Sequence, residues 1–531
     1  MQRKINNIHA VLFVMSMIFM ATTAMATRYF WATSGTENGD LSVLRNWTTG
    51  SQAGNNSPSS FNAQDQYTIR DTSNLPAGIQ SWYIDASLNM LGFLEVIRNV
   101  NIDLKGNSLS VKYLQSRGAL SFSNGPVITS EQSFCGNQST PGNCSISFVG
   151  EGTSFFVPEA KAVSISSSSV EGASNNRLEI LDGAKMLSGR IAIGNNSAVP
   201  EGVNSTNNSF VVSGSGSSAK LNNVDLRAGK KNVFEISNGA SVSITNAFTV
   251  SGQYCMKIGS YDRSEGDVVV VKGESSRLEV AGSVNMGTHA NSHNHSFIVA
   301  DGANASVGSF QIGQEPGSTG NAVRVEGAGS LLTVAGTTYV GGNVQTGLSN
   351  SRLDILDGAT YETIENAQLW IGRFSNGCEL YVSNGTAKVS GELRLGWASG
   401  DTNSGKVGGL VTIRIAGASP LLEVSGKVSS YSQDAFHKLI FDMPSSGWTS
   451  APVKFKNVNK ISYGTGTGLE ICVNAKSVVP GRYVLIESAA DINFDRIALS
   501  LDSSPNVEID TTNTKELAVK VKPVGLVLVI R

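Results

Sequence analysis

A short pattern that recurs along the chain in two versions is the strongest constraint on the fold. In the first version two alternating apolar residues lead to Asp-Gly or Asn-Gly, as in Leu178 to Gly183; in the second they lead to glycine followed by Ser or Thr, as in Phe210 to Gly214. The repeat glycines are Gly106, Gly125, Gly150, Gly183, Gly214, Gly239, Gly273, Gly302, Gly327, Gly358, Gly385 and Gly417. Their mean spacing of about 28 residues is typical of a solenoid. The versions alternate, except that the first occurs twice running at Gly358 and Gly385.

One copy of the pattern, Asn176 to Gly194, predicts how the chain folds. Leu178 and Ile180 are two residues apart, so a strand places both on one face. Asp182-Gly183 supplies a turn, and a third short strand ends at Ile193-Gly194. Three strands of this kind form one rung of a parallel β-helix, and rungs stacked about 4.8 Å apart share one apolar column. We therefore expect an all-β parallel β-helix (β-solenoid) of about twelve rungs.

The chain divides into four predicted segments. Residues 1–26 resemble a signal peptide, with Arg3 and Lys4 before an apolar run and Ala24-Met25-Ala26 as the cleavage site. Residues 27–95 are expected to form an N-terminal cap, 96–430 the repeat array, and 431–531 a β-rich C-terminal cap. Caps are expected because the open ends of a solenoid need protection from edge pairing.

The bulk composition narrows the classes of partner. Apolar residues make up 40% of the chain and alternate regularly, which argues against disorder. The formal net charge is only -2, so we expect no nucleic-acid partner. No stretch after the leader approaches the ~20 apolar residues of a spanning helix, so we expect no transmembrane helix once the signal peptide is removed.

The polar residues suggest where the loops lie. Length variation falls between Gly194 and Phe210 and between Gly287 and Phe297, which places polar loops at one corner. The predicted display loops are Asn195 to Asn208, Gly252 to Asp267, Thr288 to Ser296 and Gly313 to Gly320. Asparagines recur six to eight positions before the repeat glycines, at Asn176, Asn208, Asn232, Asn294, Asn321 and Asn350. They are either a hydrogen-bonded ladder along the corner or ordinary turn formers, and the sequence leaves both open.

The cysteines indicate a disulfide and no cofactor. Cys135 and Cys144 bracket a short polar loop and are predicted disulfide partners in an oxidising compartment. Cys255, Cys378 and Cys472 are isolated and are expected to be buried apolar residues. With no CxxC pair in the sequence, we expect neither a zinc nor a redox site of that kind.

Candidates for catalysis are few, and we expect no catalytic, cofactor-binding or metal-binding residue. Asp182, Asp301 and Asp357 share their repeat position with asparagines elsewhere, which favours a turn role. His289, His293 and His295 lie in one loop without Asp, Glu or Cys; we expect a solvated polar loop, and whether they bind a metal stays open. Arg227, Lys230 and Lys231 are the nearest approach to a lyase-type basic cluster, beside the rung-ending Gly229.

Both flanks carry a family resemblance. The start of the mature chain has Trp31, Asn46-Trp47, Pro58 and the stretch Asp65 to Ile69, and a Pro480 to Ile486 segment follows the array. This arrangement resembles bacterial autotransporter passenger regions, which implies a surface-exposed or secreted β-helix with adhesin-like or matrix-like roles. The chain departs from that family after the array, where about 110 residues are too few for a translocator barrel.

These observations predict an exported, non-catalytic rod that displays loops at the bacterial cell surface or outside the cell. Surface glycans or other surface proteins are the expected partners. The alternatives are a polysaccharide lyase or glycoside hydrolase on the same scaffold, and a carbohydrate-binding rod without turnover. An enzyme should have a single cleft lined by non-repeating carboxylates, Lys or Arg, whereas a display rod should not.

Overall fold

The computed structural model describes most of the chain after the predicted signal peptide. The described residues are 27–31, 40–49, 56–61, 65–69, 82–97, 99–136, 142–166, 173–195, 205–245, 254–315, 317–342, 347–396, 409–431, 436–456, 461–463 and 468–523. Residues 1–26, and with them the predicted cleavage site, lie outside the described residues. Over the described ranges the chain forms no helix with the length and apolar character needed to cross a bilayer.

The described chain is built almost wholly of short strands, with 3-10 helices only at Leu44–Asn46 and Phe494–Arg496. The strands before the first repeat glycine are β1 (Arg28–Trp31), β2 (Trp47–Thr48), β3 (Gln66–Ile69), β4 (Trp82–Tyr83), β5 (Leu88–Val96) and β6 (Val100–Asp103). The strands of the array are β7 (Leu109–Ser116), β8 (Ala119–Ser123), β9 (Pro126–Thr129), β10 (Ser133–Cys135), β11 (Ser145–Val149), β12 (Ser154–Phe156), β13 (Ala162–Ile165), β14 (Arg177–Leu181), β15 (Lys185–Ile193), β16 (Ser209–Ser213), β17 (Ser218–Leu226), β18 (Val233–Ser237), β19 (Ser241–Ile244), β20 (Met256–Ile258), β21 (Val268–Lys272), β22 (Arg277–Met286), β23 (Ser296–Ala300), β24 (Asn304–Ile312), β25 (Ala322–Glu326), β26 (Leu331–Val334), β27 (Thr338–Val340), β28 (Gly347–Leu348), β29 (Arg352–Leu356), β30 (Thr360–Thr363), β31 (Leu369–Ile371), β32 (Ser375–Asn376), β33 (Cys378–Ser383), β34 (Thr386–Val389), β35 (Leu393–Gly396), β36 (Val411–Ala416), β37 (Leu421–Val424) and β38 (Val428–Tyr431). The strands that follow are β39 (Phe436–Asp442), β40 (Val453–Phe455), β41 (Ile461–Tyr463), β42 (Gly468–Asn474), β43 (Gly481–Ser488), β44 (Ile497–Leu499), β45 (Val507–Asp510) and β46 (Glu516–Val521).

Parallel pairing of these strands confirms the predicted β-helix. One sheet contains 16 strands in chain order, from β4 to β44, and each rung contributes one of them, its first strand. The second and third strands of each rung lie in the other large sheet, where some rungs join them into one bent strand such as β15. Equivalent apolar residues stack directly, as Leu178 does on Phe210 and Ile180 on Val212. The buried side chains form one continuous column.

The parallel stack is longer than the twelve repeat glycines indicate. Those glycines follow consecutive first strands from β6 to β36. The same sheet also includes β4 before them and β39, β42 and β44 after them, so rungs extend into both segments assigned to caps. The sequence pattern does not reach these rungs, because β39 and β42 end at Asp442-Met443 and Asn474-Ala475 without a repeat glycine.

Turn geometry explains why the two versions of the repeat alternate. In most copies of the first version three residues separate the first and second strands, as between β14 and β15, and in most copies of the second version four, as between β16 and β17. Asp182 and Gly183 both have positive φ, of 53° and 94°. The Gly183 N–H donates at 2.9 Å to the hydroxyl of Ser217, which in turn donates at 2.7 Å to the Ser213 carbonyl. A second-version turn thus caps a first-version turn in the neighbouring rung.

The same contact recurs along the array and defines a two-rung unit. Buried hydroxyls accept from the preceding first-version turn in four places: Thr153 from Asn124, Ser217 from Gly183, Ser276 from Gly239 and Ser330 from Gly302. Where the alternation breaks, no hydroxyl is used. There the Gly358 N–H instead donates at 2.7 Å to the backbone carbonyl of Asn384.

Replacing Ser217 by alanine is expected to lower the free energy of unfolding by about 1–3 kcal/mol, because the buried Gly183 N–H then has no acceptor. Ser215→Ala is the matched control, since Ser215 is an exposed residue of the same turn. Urea unfolding of both variants measures the difference. Equal stability of the two variants would show that the hydroxyl cap contributes nothing.

Antiparallel pairs occur at both ends of the larger sheet. At the N-terminal end β1 pairs antiparallel with β2, and the buried rings of Trp31, Trp47 and Tyr67 pack edge to face. At the C-terminal end β46 pairs antiparallel with both β43 and β45. In this sheet antiparallel strands flank the parallel stacking at both ends, whereas the described end strands of the 16-stranded sheet, β4 and β44, pair in parallel.

Candidate functional site

The variable loops meet at one corner of the solenoid, as predicted. They connect the third strand of one rung to the first strand of the next, as between β22 and β23 and between β24 and β25. Parts of the predicted display loops, such as 196–204 and residue 316, lie outside the described residues. The described ends show how the loops are anchored.

Buried polar side chains run along this corner as a ladder. From β14 to β25 the residue immediately before each first strand is fully buried, and successive members are Asn176, Asn208, Asn232, Asp267, His295 and Asn321. The Asn176 Nδ2 donates to Asn208 Oδ1 at 3.0 Å, and Asn208 Nδ2 donates to Asn232 Oδ1 at 3.2 Å. Farther along, the Asn232 N–H donates to Asp267 Oδ1 and the His295 N–H to Asn321 Oδ1.

Both sequence interpretations of the asparagines therefore hold, at different positions. Asn176, Asn208, Asn232 and Asn321 belong to the ladder. Asn294 and Asn350 lie two residues before β23 and β29, with φ of 61° and 49°, and are turn formers. A spacing of six to eight residues covers both positions, so it could not separate them.

Serines three residues before four of the ladder residues tie their loops to the corner. This Ser-x-x-polar motif was not recognised in the sequence, and it occurs at Ser205, Ser264, Ser292 and Ser318. The Asn321 Nδ2 donates to Ser318 Oγ at 2.8 Å, and the Ser264 Oγ donates to Asp267 Oδ2 at 2.6 Å. Four serines at equivalent positions are a structural repeat.

Ser292, His295 and Asp267 together have the composition of a hydrolase triad, but their hydrogen bonds run differently. The Asp267 N–H donates to His295 Nδ1 at 3.1 Å, so the neutral imidazole carries its proton on Nε2. That nitrogen faces Ser292 Oγ at 2.7 Å, while Ser292 donates to the Gly259 carbonyl at 2.8 Å. A nucleophilic serine needs the opposite arrangement, in which Nε2 accepts its proton. All three side chains are buried, which is consistent with a ladder role.

Burial also sets the protonation of this pair. It lowers the pKa of His295 to about 3, with the nearby charge of His293 acting in the same direction. It raises the pKa of Asp267 to about 7, against hydrogen bonds that favour the carboxylate. Both side chains are therefore neutral in mildly acidic solution.

The three histidines do not converge. His295 is fully buried, so the expectation of a solvated loop is wrong for this residue, because its ladder position turns it inward. His293 lies 3.8 Å from Glu265 and is half-buried, and His289 is exposed. Among the residues that the structure describes, no group of three or more His, Cys, Asp or Glu side chains is arranged to hold a metal ion.

The predicted disulfide is not formed in this structure. Cys135 and Cys144 are buried free thiols, with Cys135 Sγ 3.4 Å from the Cys144 carbonyl oxygen. Burial raises the pKa of Cys144 to about 11. The intervening residues 137–141 lie outside the described residues, and the pairing stays a prediction. Cys255, Cys378 and Cys472 are buried, as expected.

The basic cluster near Gly229 is neutralised by carboxylates. Arg227 Nε donates to Asp225 at 2.9 Å, and both side chains are buried. Lys230 Nζ lies 2.9 Å from Glu265. Lys231 has a φ of 57° and is a turn residue.

A surface groove of about 740 Å³ crosses the turns that follow β21, β23 and β25. We call it the turn groove, and it is lined by Ser241, Glu274, Ser275, Arg277, Asp301, Gly302, Asn304, Ala328 and Gly329. A smaller groove of about 430 Å³ adjoins it, shares Arg277 and Asn304, and adds Glu279 and Thr333. Asp301 has a φ of 56°, like Asp182 and Asp357 at the same repeat position, so all three are turn residues.

The charges of the two grooves are unpaired. Within the described part of the chain, the side chains of Glu274, Arg277, Glu279 and Asp301 make no hydrogen bond and no ion pair. Elsewhere an arginine with a carboxylate two residues away forms a pair, as Arg177 does with Glu179 at 2.6 Å and Arg352 with Asp354 at 3.1 Å. Arg277 and Glu279 have the same spacing on β22. Four unpaired charges in adjoining grooves are free to contact a polar ligand.

Comparison with known proteins adds one fold similarity. No protein-family model and no curated protein matches the chain. A crystal structure of a TibC-catalysed, hyper-glycosylated TibA55–350 fragment matches 68% of this chain and all of that chain, with 12% sequence identity and a TM-score of 0.21. The β-helix assignment rests on the strand pairing of this chain itself.

Proposed function

We propose that this chain is an exported, non-catalytic β-solenoid that acts at the cell surface or outside the cell as an adhesin-like or display rod. The observation that carries the proposal is the corner: loops of variable length leave the stack there, and the buried ladder holds their ends. Loops are where binding functions concentrate on a rigid scaffold. The resemblance of the flanks to autotransporter passengers supports export.

The turn groove supports a polar ligand for such a rod. Its lining is shallow and consists of charged and small residues, among them Gly302 and Gly329. A glycan hydroxyl or a polar protein segment can replace the water that now solvates Glu274, Arg277 and Asp301. A single contact of this kind is weak, and several along one rod act together through multivalency.

A specific observation keeps catalysis as the second candidate. Glu274, Arg277 and Asp301 lie in one groove, and carboxylates and arginine are the groups that a lyase or glycoside hydrolase would use. Asp301 occupies a repeated turn position, whereas Glu274 and Arg277 have no counterpart of the same type in the neighbouring rungs.

The test is a glycan-array screen of residues 27–531 with a reducing-end release assay on the same polysaccharides. Binding without release is the expected result. Release of reducing ends, or of unsaturated products, would show that the chain is an enzyme and would contradict the display proposal. Binding of no glycan would exclude the carbohydrate-binding form and leave a protein ligand for a display rod.

Arg277→Gln is expected to weaken binding of any array ligand held in the turn groove by about tenfold, since a charge-assisted hydrogen bond is lost. Lys185→Gln is the matched control: Lys185 is exposed and lies in the same outward column of the sheet, three strands away. Titration by isothermal calorimetry compares the two variants. Equal affinities would place the ligand outside the turn groove.

A further inference from the structure

Three first-version turns contain the same tripeptide, Ser-Asn-Gly, with its asparagine at Asn124, Asn238 and Asn384. An Asn-Gly pair favours attack of the glycine main-chain nitrogen on the asparagine side-chain amide, because glycine has no side chain to hinder the approach. In an unfolded chain the three pairs are equivalent, since their immediate neighbours towards the glycine and the serine are the same. In the fold they differ at two groups that this reaction uses, the glycine N–H and the asparagine Oδ1.

The turn at Asn238 keeps its glycine N–H in a hydrogen bond. Three residues separate β18 from β19, and Asn238 and Gly239 both have positive φ, of 56° and 81°. The Gly239 N–H donates at 3.0 Å to the hydroxyl of Ser276, which is a buried residue. This hydrogen bond must break before the nitrogen can attack the side chain.

The turn at Asn384 is shorter and leaves the equivalent N–H without a partner. Only Asn384 and Gly385 lie between β33 and β34. Gly385 is buried, yet among the residues that the structure describes its N–H has no acceptor, which is rare for a buried backbone N–H. Four earlier second-version turns have a capping Ser or Thr three residues after the glycine, whereas Pro420 follows Gly417 at that distance and has no hydroxyl.

The side-chain oxygen of Asn384 is held by two backbone donors of the next rung. The Ala418 N–H donates to Asn384 Oδ1 at 2.6 Å and the Ser419 N–H at 3.4 Å. Two backbone N–H groups on one carbonyl oxygen are the arrangement with which enzymes stabilise the oxyanion of a tetrahedral intermediate. Attack on Asn384 Cγ places that negative charge on this oxygen.

Asn124 has one of the two features. Its turn, between β8 and β9, is also two residues long, and within the described ranges the Gly125 N–H has no acceptor. The Asn124 side chain donates from Nδ2 to Asp103 Oδ1 at 3.0 Å, and no N–H of the described chain donates to its own Oδ1. The three turns therefore form a graded series on one chain.

We propose that Asn384 is a self-modification site at which the Gly385 nitrogen displaces the side-chain amide. The Gly385 N–H gives its proton to water, its nitrogen bonds to Asn384 Cγ, and the Cγ–Nδ2 bond breaks. The amide nitrogen takes up a proton and leaves as ammonia, and a succinimide ring remains. The N–H groups of Ala418 and Ser419 stabilise the oxyanion while the new bond forms. Water then opens the ring at either carbonyl and yields aspartate or isoaspartate.

The two products fit the fold differently. Aspartate already occupies this repeat position at Asp182, Asp301 and Asp357, so it keeps the turn and adds a negative charge. Isoaspartate lengthens the main chain by one carbon inside a two-residue turn, beside the 2.7 Å hydrogen bond from the Gly358 N–H to the Asn384 carbonyl. Because the lost ammonia does not return, the charge of this turn records the age of the molecule.

The test follows all three asparagines in one sample of the folded protein, incubated in heavy-oxygen water at mildly alkaline pH. Peptide mapping by mass spectrometry detects the heavy oxygen that each ring opening introduces. The expected order of rates is Asn384, then Asn124, then Asn238, with Asn384 at least about fivefold faster than Asn238, the factor that one net hydrogen bond corresponds to. In denaturant the three rates should converge.

Two results of this comparison would overturn the inference. One is a rate at Asn384 no higher than that at Asn238 in the folded protein. The other is a rate at Asn124 equal to that at Asn384, because the donors of Ala418 and Ser419 would then contribute nothing. The comparison uses only the wild type, so it does not depend on the folding of a variant.

Ser276→Ala tests the role of the glycine N–H directly. It removes the acceptor of Gly239, and Asn238 is expected to convert about fivefold faster while Asn384 in the same molecule keeps its rate. Ser276→Thr is the matched control, because it retains the hydroxyl, as Thr153 does at the equivalent position. An unchanged rate at Asn238 in Ser276→Ala would show that this N–H does not control the reaction, contrary to the inference.

Discussion

Replacing Phe148 by alanine is expected to lower the free energy of unfolding by about 3–5 kcal/mol. The Phe148 ring is fully buried in the apolar column and stacks on two others, Phe122 at 5.3 Å and Phe155 at 4.4 Å between ring centres. Removing it opens a cavity between rungs that parallel strand pairing prevents from collapsing. Because each rung contacts mainly its neighbours, the loss should be felt first in the rungs around β11.

The neighbouring Phe156 is the control for this prediction. Its ring is 38% exposed on the opposite face of β12, and Phe156→Ala should change stability by less than about 0.5 kcal/mol. Urea unfolding followed by circular dichroism measures both variants, and hydrogen exchange locates the opening. Similar losses for the two substitutions would contradict a shared interior column.

Exchanging either member of the buried Asp267–His295 pair for asparagine is expected to give opposite dependences of stability on pH. Asparagine is the residue that the ladder uses at neighbouring positions, so it fits the site. The Asp267 pKa is raised by burial from 3.8 to about 7, and the folded state therefore retains a proton that the unfolded state loses. This contribution to stability is full below about pH 4 and is lost as the pH rises to about 7.

His295 acts in the other direction. Its pKa is lowered by burial from 6.5 to about 3. Between these pH values the unfolded state therefore binds a proton that the folded state does not bind. This contribution is full above about pH 6.5 and is lost as the pH falls towards 3. In the wild type the two effects oppose each other between about pH 4 and 6.5.

The single variants separate the two effects. Asp267→Asn should become less stable on acidification below pH 6.5, by about 1.4 kcal/mol per pH unit, and His295→Asn should lose stability at a similar rate as the pH rises from 4 to 7. Denaturant unfolding at pH 4, 5, 6 and 7 measures both slopes. Two variants with slopes of the same sign would show that the pair is not held neutral.

The glycine pattern was sufficient to predict the β-helix, because glycine is favoured where the chain turns with positive φ. Gly183 and Gly214 mark such turns, with φ of 94° and 97°. The same logic missed the outermost rungs, in which β39 and β42 turn without a repeat glycine. Their membership depends on pairing with distant strands, which a local pattern does not contain.

The ladder was only half predictable. Asparagine recurrence indicated the corner, but Asp267 and His295 continue the same column with different chemistry. His295 looked like a loop residue because Ser292 to Asn294 around it are polar. Its burial follows from its position directly before β23, and the signal that could have revealed this is the serine three residues earlier.

The charge pattern of the candidate site was not predictable. Arg277 and Glu279 have the spacing of a strand ion pair, and the sequence does not indicate that they stay apart.

The hydroxyl that joins alternate turns has a consequence for how such a chain can change its length. Inserting or deleting a single rung would place two turns of the same version in neighbouring rungs. The backbone N–H of one of these turns would then have no hydroxyl acceptor. Duplication of a two-rung segment keeps every first-version turn next to a second-version turn. A gene of this kind is therefore expected to grow and shrink in even steps, and an odd step survives only where backbone carbonyls take over, as they do at Gly358.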